Sequence, residues 1–415
     1  SIDLGEGDDI LNINANDNTN ISTGSGNDIV RSTTGTSGNT IDLSSGNNDL
    51  LLNGNNNTIT ALNGNNRISA VGNENNISAG SGKNILGANG ASNTLEAKGN
   101  STFNAQGSDN TFNLTGNQNI VNSQGNNATI TSTGNSTINS KGANSSVNSV
   151  GNSTINLTGN NSLINSIGNS NITTKGENIT LNSIGNSTIN QTGDSATIEA
   201  QTGNVTLTGS NSTLNAKGVN LSIQGNNNEI ENIIEDENIT PDNEVKLNIN
   251  MEGNSNNLTT NNTSDNVTLK GDSNTLNLNN LNDKVEFVGN DNTITFSDGN
   301  NSVKLRGNSN NIQGGLGSDN FRINSGKNNI VNGGETTQKN TLYDLGENTD
   351  ATDCIDVTPR PLHVDIQVGY DAGEDITATL QFLLGDFWVD VSTVEKANES
   401  IKRIDEVLDE ISSQM

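Results

Sequence analysis

Single apolar residues recur along most of the chain, flanked by Thr, Ser or Asn and separated by turns rich in Gly and Asn. From residue 99 to residue 193 a Gly returns every 8 or 9 positions, and Gly134-Asn-Ser-Thr-Ile-Asn139 and Gly151-Asn-Ser-Thr-Ile-Asn156 are two copies of the unit. The Thr-Ile-Asn centre alternates out-in-out, which predicts a short strand with one buried face. Gly-Asn supplies the positive φ of a sharp turn.

One such strand cannot bury its single apolar residue, whereas stacked copies can. Two units make about 17–19 residues, so we predict a mainly β fold with one flattened coil per pair of units. This parallel β-solenoid is expected over about residues 1–333, with turn Asn side chains stacked in amide ladders. The predicted core comprises Phe103, Phe112, Ile138, Val147, Ile155, Ile172, Leu181, Ile189, Ile198, Phe296 and Phe321.

The rhythm breaks twice. Residues 229–248 are acidic and contain Pro241, which predicts a loop extruded from the solenoid. The composition changes again after residue 333, so we assign 334–360 to a linker and 361–415 to a separate C-terminal segment.

Composition removes several classes of function. The net charge of −28 disfavours nucleic acid as a partner. No apolar run approaches the roughly 18 residues of a membrane span. One Cys and one His exclude a disulfide framework and a zinc cluster, and we expect no enzymatic activity.

Three turns depart from the Asn pattern: Gly5-Glu-Gly-Asp-Asp-Ile-Leu11, Gly24-Ser-Gly-Asn-Asp-Ile-Val30 and Gly314-Gly-Leu-Gly-Ser-Asp-Asn-Phe-Arg322. They resemble the calcium-binding nonapeptide of RTX proteins, Gly-Gly-x-Gly-x-Asp-x-apolar-x. The resemblance implies calcium ligands at Asp9, Asp28 and Asp319. Asp9 and Asp28 are one coil apart, but neutral Asn follows at the next equivalent positions, so no cofactor is required by this pattern. The alternative is that these Asp are ordinary turn residues.

The C-terminal segment has a different pattern. Residues 362–369 and 375–382 alternate at period two around a Gly/Asp turn, which predicts a β-hairpin over 362–382. Ser392 and Glu395 form a capping box, and a helix is predicted over 393–414. Its apolar positions follow gaps of 3 and 4 and form a heptad seam that needs a partner helix. The alternative is a single amphipathic helix that packs against the hairpin. The seam consists of Val394, Ala397, Ile401, Ile404, Leu408 and Ile411.

This segment resembles the C-terminal part of bacterial flagellin. The matching residues are Ile366-Gln-Val-Gly369, Asp390-Val-Ser-Thr393, Ile401-Lys-Arg-Ile-Asp405 and Ser412-Ser-Gln414. The resemblance implies that the seam packs against N-terminal helices of the same protein and against other flagellin subunits. The solenoid would then be a variable outer domain, and we expect the chain to be part of a longer flagellin that is secreted and assembled into the flagellar filament.

Other functions are compatible with the pattern. One is a secreted, calcium-dependent adhesin or surface protein of the RTX type. Another is a polysaccharide-cleaving β-helix enzyme, although Asn and Thr occupy the coil faces where carboxylates would be needed. Thr137, Thr154 and Thr188 also resemble an ice-binding array, although Asn171 interrupts the column. The sequence indicates no particular glycan or receptor.

Overall fold

The computed structural model describes residues 1–14, 17–32, 35–235, 245–279, 281–334, 340–356, 362–369 and 375–382. Within these ranges the chain forms forty β-strands and no helix, and hence no helix long and apolar enough to cross a membrane. The chain divides into two compact units, the first spanning Ser1–Ile355 and the second beginning at Asp356.

The first unit is a parallel β-solenoid of 38 strands in one continuous hydrogen-bonded sheet system. About 19 coils of about 18 residues stack on one another. With neighbouring strands about 4.8 Å apart, the stack is about 90 Å long. Each coil contains a strand of face 1, a turn at edge A, a strand of face 2 and a turn at edge B.

The strands of face 1 are β2 (Ile10–Ile13), β4 (Ile29–Ser32), β6 (Asp49–Asn53), β8 (Arg67–Val71), β10 (Ile85–Asn89), β12 (Thr102–Gln106), β14 (Asn119–Gln124), β16 (Ser136–Lys141), β18 (Thr154–Thr158), β20 (Asn171–Lys175), β24 (Val219–Gln224), β26 (Val245–Glu252), β28 (Thr263–Lys270), β30 (Lys284–Val288), β32 (Ser302–Arg306), β34 (Asn320–Ser325), β36 (Asn340–Asp344) and β38 (Cys354–Asp356).

The strands of face 2 are β1 (Ile2–Asp3), β3 (Asn20–Ser22), β5 (Thr40–Asp42), β7 (Thr58–Ala61), β9 (Asn76–Ala79), β11 (Thr94–Lys98), β13 (Thr111–Thr115), β15 (Thr129–Thr133), β17 (Ser146–Val150), β19 (Leu163–Ile167), β23 (Thr213–Ala216), β25 (Glu229–Ile233), β27 (Asn257–Asn261), β29 (Thr275–Asn279), β31 (Thr293–Phe296), β33 (Asn311–Gln313), β35 (Ile330–Asn332) and β37 (Asp350–Thr352). Two long strands, β21 (Thr180–Thr192) and β22 (Thr197–Thr208), continue from face 2 through edge B into face 1.

The register confirms the predicted coil. Ile138 pairs with Ile155, and Ile155 pairs with Ile172. All the predicted core residues are buried, and they belong to one hydrophobic cluster that runs along the stack. Phe103 and Phe112 pack edge to face with ring centroids 6.4 Å apart. The core is thin because each strand contributes only its inward-facing positions.

The turns explain the Gly and Asn content. At edge A most coils have one non-Gly residue with positive φ, as Asn56 does at 57°, and Asn tolerates this region better than most residues. At edge B the coils lie very close, since a Cβ on Gly64 would be 1.9 Å from the carbonyl oxygen of Gly46. A side chain there would force the two coils apart.

Two predicted boundaries are wrong. The solenoid does not end at residue 333, because β36 and β37 continue its parallel pairing and Leu342 is buried in line with the core. Part of 334–360 is therefore stacked chain rather than linker. The acidic loop is also shorter than 229–248, since its two ends lie in β25 and β26. Residues 236–244 lie outside the described residues.

In the second unit, β39 (Leu362–Gly369) and β40 (Asp375–Phe382) form an antiparallel pair, as the alternation predicts. The predicted helix over 393–414 lies outside the described residues. The six seam positions from Val394 to Ile411 therefore stay a prediction.

Candidate functional site: the polar ladder at edge B

The residue that ends each edge B turn points into the solenoid, and its equivalents stack from coil to coil. We call this column the edge B ladder, and we call each of its residues a rung. Its polar members are buried or half-buried: Asp9, Asp28, Asn48, Asn66, Asn84, Ser101, Asn119, Ser136, Ser153, Ser170, Ser187, Asp265, Asp283, Asn301, Asp319 and Asn340. Gly203, Val219 and Leu247 occupy the equivalent positions between Ser187 and Asp265.

Asn rungs satisfy all their polar groups. The backbone N–H of Asn48 donates to Oδ1 of Asn66 at 3.1 Å. Asn66 Nδ2 in turn donates to Asn84 Oδ1 at 3.1 Å and to the carbonyl oxygen of Gly64 at 3.3 Å. An amide fits this position because it accepts from one coil and donates to the next. The predicted amide ladder is therefore confirmed.

Ser rungs are also hydrogen-bonded between coils, but they follow a shorter turn. Ser149 Oγ donates to Ser153 Oγ at 2.8 Å across four residues, and the backbone N–H of Ser153 donates to Ser170 Oγ at 3.2 Å. This interval runs from the last buried residue before the turn to the rung. For an Asn rung it is five residues, as from Leu43 to Asn48. At edge B, the four-residue turns that end at Ser136, Ser153, Ser170 and Ser187 thus accommodate Ser, and the five-residue turn that ends at Asn48 accommodates Asn.

Asp9 and Asp28, predicted to share an edge, do stack directly: the backbone N–H of Asp9 donates to Oδ1 of Asp28 at 3.0 Å. The Oδ2 atoms of both side chains are buried and have no hydrogen-bond partner in the described part of the chain. Two such oxygens on adjacent coils fit the preference of Ca²⁺ for oxygen ligands. The next rung is the neutral Asn48, however, and the described residues contain no group of three or more acidic, His or Cys side chains that could hold a metal.

The structure does not bring Asp319 to the other two predicted calcium residues. Asp319 lies on the same ladder near its far end, between Asn301 and Asn340. Burial, above all, raises the pKa of its carboxyl group, and its Oδ2 has no hydrogen-bond partner. It is therefore a single carboxyl group between two amides, not the partner of Asp9 and Asp28.

Sequence reasoning missed two further acidic rungs, Asp265 and Asp283. The backbone N–H of Asp265 donates to Asp283 Oδ1 at 2.8 Å, and that of Asp283 donates to Asn301 Oδ1 at 2.9 Å. Neither residue follows a Gly-x-Gly turn, so neither matches the RTX-like nonapeptide. The available signal was the step of 18 residues that leads back along the ladder from Asp319.

Comparison with known proteins gives one partial match. Residues 251–309 match a family described as "Protein of unknown function (DUF3060)". This stretch includes Asp265, Asp283 and Asn301 and is part of the solenoid. No curated protein and no solved structure matches the chain.

Proposed function

We propose that this chain is a structural component of an extracellular bacterial filament of the flagellin type, with the solenoid displayed as a surface domain and the C-terminal segment engaged in subunit packing. The observation that carries the proposal is the ordered set of flagellin-like segments between Ile366 and Gln414. The first of these segments lies in β39 of an antiparallel hairpin.

A structural role agrees with the chemistry of the solenoid. Its polar interior positions are occupied by Asn, Ser and Asp that bond to neighbouring coils. The only Cys of the chain, Cys354, is a poor nucleophile, because burial, followed by the nearby carboxylates of Asp353 and Asp319, raises the pKa of its thiol to about 11. These features favour a passive rod over a catalyst.

The test is made on the complete protein in the bacterium that produces it. Filaments sheared from the cells are labelled with an antibody raised against residues 97–160. The proposal predicts label along the whole filament. Recovery of the protein only as a soluble or membrane-attached species, with unlabelled filaments, would contradict it.

A paired substitution tests the packing role of the seam. Ile404→Asp places a charge on the predicted seam and should strongly reduce the mass of filament recovered. Glu406→Gln lies off the seam and should leave that mass unchanged. Equal recovery from both variants would refute a packing role for this segment.

A calcium-dependent surface protein is the second candidate, and the unpartnered Oδ2 atoms of Asp9 and Asp28 favour it. This function predicts that Ca²⁺ raises the unfolding temperature of the wild-type protein and that Asp28→Asn removes the effect. An unchanged unfolding temperature on Ca²⁺ addition would eliminate it without bearing on the filament proposal.

A further inference from the structure

The acidic rungs Asp265 and Asp283 occupy ladder positions at which other coils have Asn. In the neighbouring Asn rung, Asn301 Nδ2 donates to the carbonyl oxygen of Asp298 at 3.1 Å and to Asp319 Oδ1 at 3.0 Å. A carboxylate in the same place has a second oxygen where the amide has its N–H groups. It can accept a hydrogen bond there but cannot donate one.

Asp265 shows the consequence most clearly. Its side chain is 1% exposed. Oδ2 accepts a hydrogen bond from Thr263 Oγ1 at 3.0 Å, whereas Oδ1 is buried and has no hydrogen-bond partner among the residues that the structure describes. A buried oxygen that lacks a donor is costly, and an ionised one is more so.

The described groups that face Asp265 offer no compensating positive charge. The next rung is Asp283, a second buried carboxyl group, and the preceding rung is the apolar Leu247. Thr263 lies on the same strand, and Thr260 comes from face 2. Lys284 follows Asp283 in sequence, but it is an exposed residue of β30.

We propose that Asp265 is a proton-binding site of the folded solenoid, and that its carboxylic acid takes the place of the Asn amide in the edge B ladder. The proton supplies the donor that the rung otherwise lacks, and it removes the cost of burying an ionised carboxylate. The coils around Asp265 thus form a segment that is held together more tightly in acid than at neutral pH. This inference is independent of the filament proposal.

The direction of the pH effect follows from the pKa. Burial raises the pKa of Asp265 from 3.8 to about 6, against a smaller opposing effect of the neighbouring hydroxyl groups of Thr260 and Thr263. Because the folded state binds the proton more tightly, the contribution of Asp265 to stability is fully present below about pH 3.8 and is lost as the pH rises through about 6. A surface carboxylate that is paired in the folded state has the opposite dependence.

Asp265→Asn tests the proposal by supplying the donor permanently. Hydrogen exchange of peptides covering 257–288 is compared between wild type and variant at the same pH, so that intrinsic exchange rates cancel. At pH 7.5 the variant should open at least about tenfold less often than wild type, and at pH 4 the two should differ by less than about twofold. Glu286→Gln, an exposed site on β30 with the same change in net charge, should match wild type at both values.

Three results would overturn the proposal. One is an Asp265→Asn protein that exchanges as wild type does at pH 7.5, and another is one that exchanges faster at both pH values. The third is a chelator that loosens the wild-type segment but not the variant, because a metal ion would then fill the site. If the variant fails to fold, infrared spectroscopy of the wild-type protein decides. The carbonyl stretch of a buried carboxylic acid must persist above pH 5 and disappear near pH 7.

Discussion

Two stretches of the edge B ladder share a pattern of hydrogen bonds between rungs and differ in side-chain chemistry. From Asn48 to Asn84 every rung is an amide that donates and accepts. From Asp265 to Asp319 three of four rungs are carboxyl groups. In both stretches the backbone N–H of a rung donates to a side-chain oxygen on the next coil wherever the rung of that coil is Asn or Asp. Only the side-chain donor differs: Asn always has its amide N–H groups, whereas Asp has a donor only when its carboxyl group is protonated. The acidic stretch is therefore expected to be sensitive to pH.

The largest effect should come from converting the neutral stretch into the acidic kind. Asn66→Asp removes the donors to Gly64 and Asn84 and buries a carboxylate. We expect a loss of about 3 kcal/mol in the free energy of unfolding at pH 7, with much of it regained at pH 4. Urea unfolding at the two pH values measures both quantities. A loss that is independent of pH would show that the two stretches do not differ by a proton.

The match between turn length and side chain predicts an effect of intermediate size. Ser153→Asn places an amide in a turn four residues long and should cost about 2 kcal/mol through overpacking. Ser145→Asn is the matched control at edge A, where the interval from Ser140 is five residues. It should cost less than about 1 kcal/mol. Equal losses in urea unfolding would mean that turn length does not select the side chain.

The smallest effect is expected outside the ladder. Exposed Asn152 accepts a hydrogen bond from the backbone N–H of Asn169 at 2.8 Å. Because water can replace this acceptor, Asn152→Ala should lower the free energy of unfolding by about 0.5 kcal/mol or less. A loss comparable to that of Asn66→Asp would show that the exposed Asn column contributes as much to the stability of the coil as the buried ladder does.

The sequence predicted much of this architecture because the repeat is strict. The spacing of Ile138, Ile155 and Ile172 determined the coil length and the buried face, and stacked Asn followed from the coil. The end of the solenoid was misplaced because β36 and β37 keep the register after the Gly-Asn spacing is lost. Pairing there depends on contacts with the coil below, which local composition does not record.

The site was predicted only in part, for a related reason. Asp9, Asp28 and Asp319 stood out through their Gly-rich turns, whereas Asp265 did not. Ladder membership depends on position in the coil, and the turns at edge B vary in length. Counting back from Asn301 in steps of 18 residues would have identified Asp283 and Asp265.

The parallel stack underlies every comparison above, and distances between spin labels test it directly. In a Cys354→Ala background, Cys residues are introduced at exposed positions of face 1: Thr154 or Thr188, each paired with Lys284. Lys284 lies seven rungs from Thr154 and five from Thr188. At about 4.8 Å per rung, pulsed electron paramagnetic resonance should give narrow distances near 34 Å and 24 Å. Broad distributions, or two distances that do not differ by two rungs, would contradict the stacked solenoid and with it the ladder.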